Sequence, residues 1–171
     1  MAGNLTFTFK VNGFEKATDE LKAAILVGEE SGMEKIGLRG EQILSQHTPV
    51  GATGNLNAGI FSEFHQEGAK MHEVIAVGPP ADVYAAAVND GTRPHMPPSA
   101  PLVLWVKQKL GVGNEKQALS IAFAIARTIA KRGTKGVHMF DTTLEQLEKE
   151  GPGILEVEIA TAVQKAGFGK K

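Results

Sequence analysis

The residue types that most often do chemistry are sparse in this chain and poorly grouped. Five histidines and no cysteine exclude disulfides, thiol nucleophiles and thiolate-bound metals. His65 and His72 can face each other across a hairpin, but no carboxylate or third histidine stands at a spacing that completes a three-ligand site. Ser45, Ser62 and Ser99 lack the glycine-flanked elbow of an activated serine. The glycine-rich stretch from Gly51 to Gly59 has no Gly-Lys-Ser/Thr ending and no preceding strand, so it does not cradle phosphate. Glu29 and Glu30 are expected to lie on a solvated helix, and His138 reads as a packing or interface residue. No constellation meets the geometric demands of an active site. The expectation is a non-enzymatic protein with no catalytic residue, no metal site and no cofactor.

Charge is more informative. Residues 1 to 92 carry six Lys/Arg against twelve Asp/Glu, residues 93 to 139 eight against one, and residues 140 to 171 four against six. A +7 block between acidic flanks points to electrostatic complementarity with a partner, either an acidic protein surface or nucleic acid, or else to solvated helix faces. Arg127, Lys131, Arg132 and Lys135 concentrate that charge at a helix end and the loop after it, a placement suited to phosphates without reading sequence. A helix C-terminus favours cations in any case, and no aromatic interleaving supports base stacking.

The elements that position these residues follow from periodicity and punctuation. Leu5 to Val11 alternates as a half-buried strand. After the Asn12-Gly13 turn, Thr18 and Asp19 cap a long helix to about Gln46, with Leu21, Ala24, Ile25, Met33, Ile36, Ile43 and Leu44 at helical spacing. Gly28, Gly32, Gly37 and Gly40 weaken it, so the helix either breaks or is approached closely by another backbone. A loop spans 47–56, and two strands follow as a hairpin, Leu56 to His65 and Met71 to Val77. Val83 to Val88 is ambiguous between helix and strand, and the Asn-Asp-Gly turn after it favours a third strand in the same sheet.

An extended arm over 92–101 follows, in which Pro94, Pro97, Pro98 and Pro101 forbid regular structure. Ser99 is placed to cap a helix running through Trp105 and Leu110. Asn114 caps a second helix, Glu115 to Arg132, with Gln117 at its third position. A further helix from Asp141 or Thr142 to about Glu150 ends at Gly151-Pro152-Gly153, and Ile154 to Ala166 forms the last, followed by a frayed tail over 167–171. The sum is an α+β protein read as a single domain over 1–171, a small antiparallel sheet of about four strands packed against a long N-terminal helix and C-terminal helices. No apolar run reaches the length of a membrane span. The N-terminus does not read as a secretory signal.

Three segments, taken in order, carry a resemblance. Thr48-Pro49-Val50-Gly51-Ala52-Thr53-Gly54-Asn55-Leu56 resembles a P-V-(x)-T-G-x-L loop, Tyr84 to Thr92 resembles a Y-A-x-x-V-E-x-G-T segment, and Gly136 to Leu144 resembles a closing R-P-F-(x)-x-A-L segment. Together they are similar to the tail-completion, or head–tail joining, proteins of the neck of long-tailed phages, over about residues 20 to 150. Asn89-Asp90 stands where a glutamate and an apolar residue are usual, and Val137 to Phe140 lacks the Arg-Pro pair. The resemblance implies a structural virion protein, made in the host cytoplasm, that forms a homo-oligomeric ring, six-fold, between a head connector (adaptor) protein and a tail-tube or tail-terminator protein. It implies no catalytic residues. On that reading Thr48, Pro49, Val50, Thr53 and Leu56, with Arg93, Pro94, His95, Met96, Pro97 and Pro98, are interface residues, and the basic cluster faces DNA in a channel or an acidic partner. The alternative is a basic-patch nucleic-acid-binding protein of phage or prophage origin.

Overall fold

The computed structural model describes residues 4–8, 17–68 and 70–168. The elements in chain order are β1 (Leu5–Thr8), α1 (Asp19–His47), α2 (Asn55–Ala58), β2 (Ile60–Glu67), β3 (Lys70–Val77), α3 (Asp82–Asp90), β4 (Gly91–Thr92), α4 (Ser99–Leu110), α5 (Glu115–Arg132), β5 (Thr134–Lys135) and α6 (Met139–Lys165). The architecture is α+β, with a three-stranded antiparallel sheet, a two-stranded one, a long N-terminal helix and C-terminal helices. The expected continuation of β1 to Val11, the Asn12-Gly13 turn and the end of the tail lie outside the described residues. Length alone suggested one core; the chain gathers into two compact units, one built from residues 4–47, 60–76 and 139 onward, the other from 48–59 and 77–138.

In the first unit the strand order is β1-β3-β2, with Leu5 opposite Ile75 and Thr8 opposite His72. Alternation along β3 buries Met71, Glu73 and Ile75 on the inner face, and α1 lies against β2 and α6. The four glycines of α1 are where its neighbours come close. A Cβ on Gly28 would stand 2.5 Å from the Cα of Ile159, and one on Gly32 2.7 Å from Leu155 Cδ1, both on α6. Gly40 makes the same kind of room for Ile75 and Leu147. Of the two expectations for this helix, close approach is the one realised, and α1 runs unbroken for 29 residues. Ile36, Ile43, Leu44, Ile75 and Leu147 are completely buried around it.

The predicted break at Gly151-Pro152-Gly153 is absent: α6 is one helix of 27 residues with Pro152 inside it. Pro152 is exposed while Gly151 and Leu155 are buried. The carbonyl that proline leaves unbonded is thus on the side water can reach, and packing of the opposite face holds the helix together.

The second unit contains three further corrections. Tyr84 to Val88 lies in helix α3, not in a third strand of the sheet. The Ala85-Ala86-Ala87 run carries the best helix former, and the β-branched valines fall near the ends of the element, so local propensity decides. Leu56 begins no strand: it is the buried residue of the one-turn helix α2, whose Ala58 N–H donates to Gly54 O at 3.0 Å. Ser99 is the first residue of α4 rather than its cap, because Pro98 before it holds the extended backbone of the capping position. The cap expected for α5 is present, with Asn114 Oδ1 accepting from the Gln117 N–H at 3.1 Å. Helices α4 and α5 pack through Val106, Ala118 and Ala122, flanked by Leu102, Val103, Ile121 and Ile125.

Candidate interaction surfaces

Gly91 and Gly133 bring the arm and the basic end of α5 together. Both have positive φ, 81° and 72°, a region costly for any residue with a Cβ. Gly133 ends α5 with its N–H on Ile129 O at 2.8 Å, and a Cβ there would run into the carbonyl of Thr92 and lie 3.0 Å from the carbonyl carbon of Arg93. The result is the β4–β5 ladder, Gly91 opposite Lys135 and Thr92 opposite Thr134, with the two threonine hydroxyls 2.9 Å apart. Downstream, Val137 N–H donates to Val88 O at 3.1 Å and His138 N–H to Asn89 O at 3.0 Å. What the sequence presents as two distant segments is therefore one surface. Arg93, at the root of the arm, follows Thr92 in this ladder, and its backbone comes against Gly133, the residue after Arg132.

From that root Arg93, Pro94, His95, Met96 and Pro98 are exposed and Pro97 half-buried. Met96 is 58% exposed, and so is Val50, at 60%, in the loop that also exposes Pro49 and Thr53. The arm's own bonding is slight: His95 Nδ1 lies 2.9 Å from Arg93 O. Thr48 and Leu56, expected among the interface residues, are instead buried; they anchor the ends of the loop and leave contact to the residues between them.

Arg127, Lys131, Arg132 and Lys135 are all exposed, and no ion pair among the described residues neutralises them. Arg127 lies over the Phe123 ring at 5.2 Å from its centroid, which fixes the guanidinium on an apolar support. Phe123 and Leu119 are 51% and 56% exposed, an apolar element on the α5 surface that charge counting misses. Charge also divides by unit. Residues 48–59 and 77–138 carry eight Lys/Arg against three Asp/Glu, a net +5, and the other unit ten against sixteen, a net −6.

Within the first unit, Glu73 is a feature that composition concealed and strand alternation could have found, since Met71, Glu73 and Ile75 share one face. It is 2% exposed and its Oε2 has no hydrogen-bond partner. Burial pushes its carboxyl up to about 7, with Glu34, Glu41 and Glu63 adding repulsion and Ser62 opposing it. Glu41 in turn accepts from the Ser62 N–H at 2.6 Å and hydroxyl at 2.7 Å. His65 and His72 do stack across the hairpin, centroids 5.2 Å apart, but no group of three or more potential ligands among the described residues is arranged to hold a metal. Between α1 and α6 an open groove of about 340 Å³ is lined in part by Ala24, Val27, Ala162 and Lys165. Of its polar groups, Ser31 and Glu158 are bonded to each other and the Thr161 hydroxyl donates to Val157 O at 2.7 Å. Ser31 donates to Glu158 at 3.0 Å, and Lys35 pairs with the other carboxylate oxygen at 2.5 Å, which together hold Glu158 below the usual carboxylate range.

No helix of the described residues is long and apolar enough to cross a membrane. No protein-family model matches the chain, and no curated protein or solved structure is significantly similar to it.

Proposed function

We propose that the protein is a structural subunit of a phage neck or tail, acting as an oligomeric ring that joins a head connector to a tail tube and completes the tail. The observation that carries this reading is the arm from Arg93 to Pro98: a stiff, proline-set segment that holds Met96 in water and bonds little to its own chain. A lone exposed methionine is unremarkable, but an apolar tip on a preorganised arm costs little entropy to dock, which suits contact with a neighbouring subunit. The order of the three sequence segments resembling tail-completion proteins supports the same assignment.

The test is deletion of Arg93 to Pro98 in the phage or prophage that encodes the chain. The expected outcome is a folded protein by circular dichroism, loss of the protein from purified particles, and tailless heads. Particles that assemble normally without the arm overturn the reading. The exposed basic cluster favours a second reading, non-specific nucleic-acid binding. That one predicts affinity for duplex DNA falling steeply with salt, and is rejected if Arg127→Ala/Lys131→Ala/Arg132→Ala leaves binding and its salt slope unchanged.

A further inference from the structure

We infer that the outward ridge of α5 docks, head to tail, onto the acidic outer stripe of α6 on a second copy of this chain. The inference rests on the oligomeric reading above and names the surfaces that make the contact. On α5 the exposed residues Lys116, Leu119, Phe123, Arg127 and Lys131 recur at spacings of three and four and so share one face. On α6 the exposed residues Asp141, Glu145, Glu148, Pro152 and Glu156 do the same, with Lys149 at the border. Each line spans fifteen positions, about 22 Å at the helical rise, so the two match in length and oppose in sign. The one acidic residue at the start of α5, Glu115, is already taken by an ion pair with Lys107.

Two features select a second copy over the other occupants. The first is the division of charge, +5 on one unit and −6 on the other: a chain that carries both signs on separate bodies has its own complement in every copy. Two ridges facing each other would oppose like charges, so the contact joins different patches, and each copy that uses its ridge on one neighbour and its stripe on another extends a ring or filament. The second is the pair Leu119 and Phe123 at the middle of the ridge. Phosphates gain nothing from Leu119, whereas a helix surface presenting Pro152 between carboxylates covers it.

The experiment uses two charge reversals in the full chain, Arg127→Glu/Lys131→Glu on the ridge and Glu145→Lys/Glu148→Lys on the stripe, each checked for folding by circular dichroism. Sedimentation velocity is run over a concentration series at low and high salt. The wild type is expected to associate with concentration and to dissociate as salt rises. Each variant alone should lose about tenfold or more in association constant. The two variants mixed should regain association, because each supplies the complement the other lacks. A wild type that stays monomeric, a variant that associates like wild type, a mixture that stays apart, or reversals that change only duplex-DNA binding would each overturn the inference. Normal association of the reversals alongside loss of particles on arm deletion leaves the neck assignment standing and this contact rejected. Association through ridge and stripe in a protein absent from particles does the opposite.

Discussion

Gly37 of α1 leaves the space that the carboxylate of Glu73 on β3 fills: a Cβ at Gly37 would overlap Glu73 Oε1 and lie 2.9 Å from Ser62 Oγ. The helix and the sheet are therefore fitted to each other through an absent side chain on one and a buried acid on the other. Gly37→Ala is expected to destabilise the protein by about 1–3 kcal/mol through overpacking. Gly153 is the internal comparison. It too is helical, but a Cβ there meets nothing within 4 Å, so Gly153→Ala should stabilise by up to about 1 kcal/mol from propensity alone. Chemical denaturation of the two variants checks the sign of each effect. Equal effects would mean that Gly37 is not a packing position.

Glu73 makes stability pH-dependent in a defined direction. Its folded pKa is raised from 4.5 to about 7, so the folded state binds the proton more tightly than the unfolded one. The stabilising contribution is full below 4.5 and is lost as pH rises through 7. For so thoroughly buried a carboxyl the loss is on the order of 3 kcal/mol. The glutamine variant Glu73→Gln keeps the shape without the ionisation, and should be more stable than wild type at pH 8 and close to it at pH 4. Melting temperatures that fall in parallel for both proteins between those values would count against this assignment.

The opposite dependence belongs to Glu150. Arg39 grips it with Nε on Oε2 at 2.6 Å and a terminal nitrogen on Oε1 at 3.2 Å, and Gln146 adds a bond at 2.9 Å. These bonds hold its carboxyl down at about 2. A depressed folded pKa stabilises above the unfolded value near 4.5, and that stability disappears as pH falls toward 2. Both side chains are about a third exposed, so the effect is modest and salt-sensitive. Arg39→Met should be less stable than wild type at pH 6, with the gap closing by pH 2; a gap that persists at pH 2 would place the loss in packing instead.

How far these features were legible in the sequence depends on whether the signal is local. Helix α5 and its Asn114 cap follow from residues within one turn of each other, as does the alternation of β3. The signal in Tyr84 to Val88 is local too but divided, the valines and the following Asp-Gly turn suiting a strand and the alanine run a helix, and the alanines prevail. Pro152 misled for a different reason: a proline inside a helix is opposed only by tertiary packing, and Leu147 and Leu155 supply it from the buried face. On the surface, the exposure of the arm was readable from its prolines. Its meeting with the basic end of α5 was not: Gly91 in its Asp-Gly turn and Gly133 at the end of α5 are local turn signals, but the pairing of Thr92 with Thr134 that they permit joins residues far apart in the chain. Thr48 and Leu56 belong to a motif-like run, which hides that a loop's ends are buried and its middle is presented.

Pro152 supplies the last prediction. A proline in a helix interior forgoes one backbone hydrogen bond and crowds the preceding turn, at a cost of about 3 kcal/mol relative to alanine. In the continuous helix α6, Pro152→Ala restores the bond without disturbing any buried contact, because the ring is exposed and neighbouring Gly153 has open space around it. The variant is therefore expected to gain about 1–3 kcal/mol, the lower values applying where the helix has already bent to relieve the clash, with no loss of helical signal. Because Pro152 also lies on the acidic stripe, the same variant separates stability from assembly. Thermal unfolding should improve while self-association stays within about threefold, because alanine keeps an apolar surface between carboxylates that are untouched. A fall in melting temperature would show that the proline ring makes a stabilising contact that outweighs the lost backbone bond.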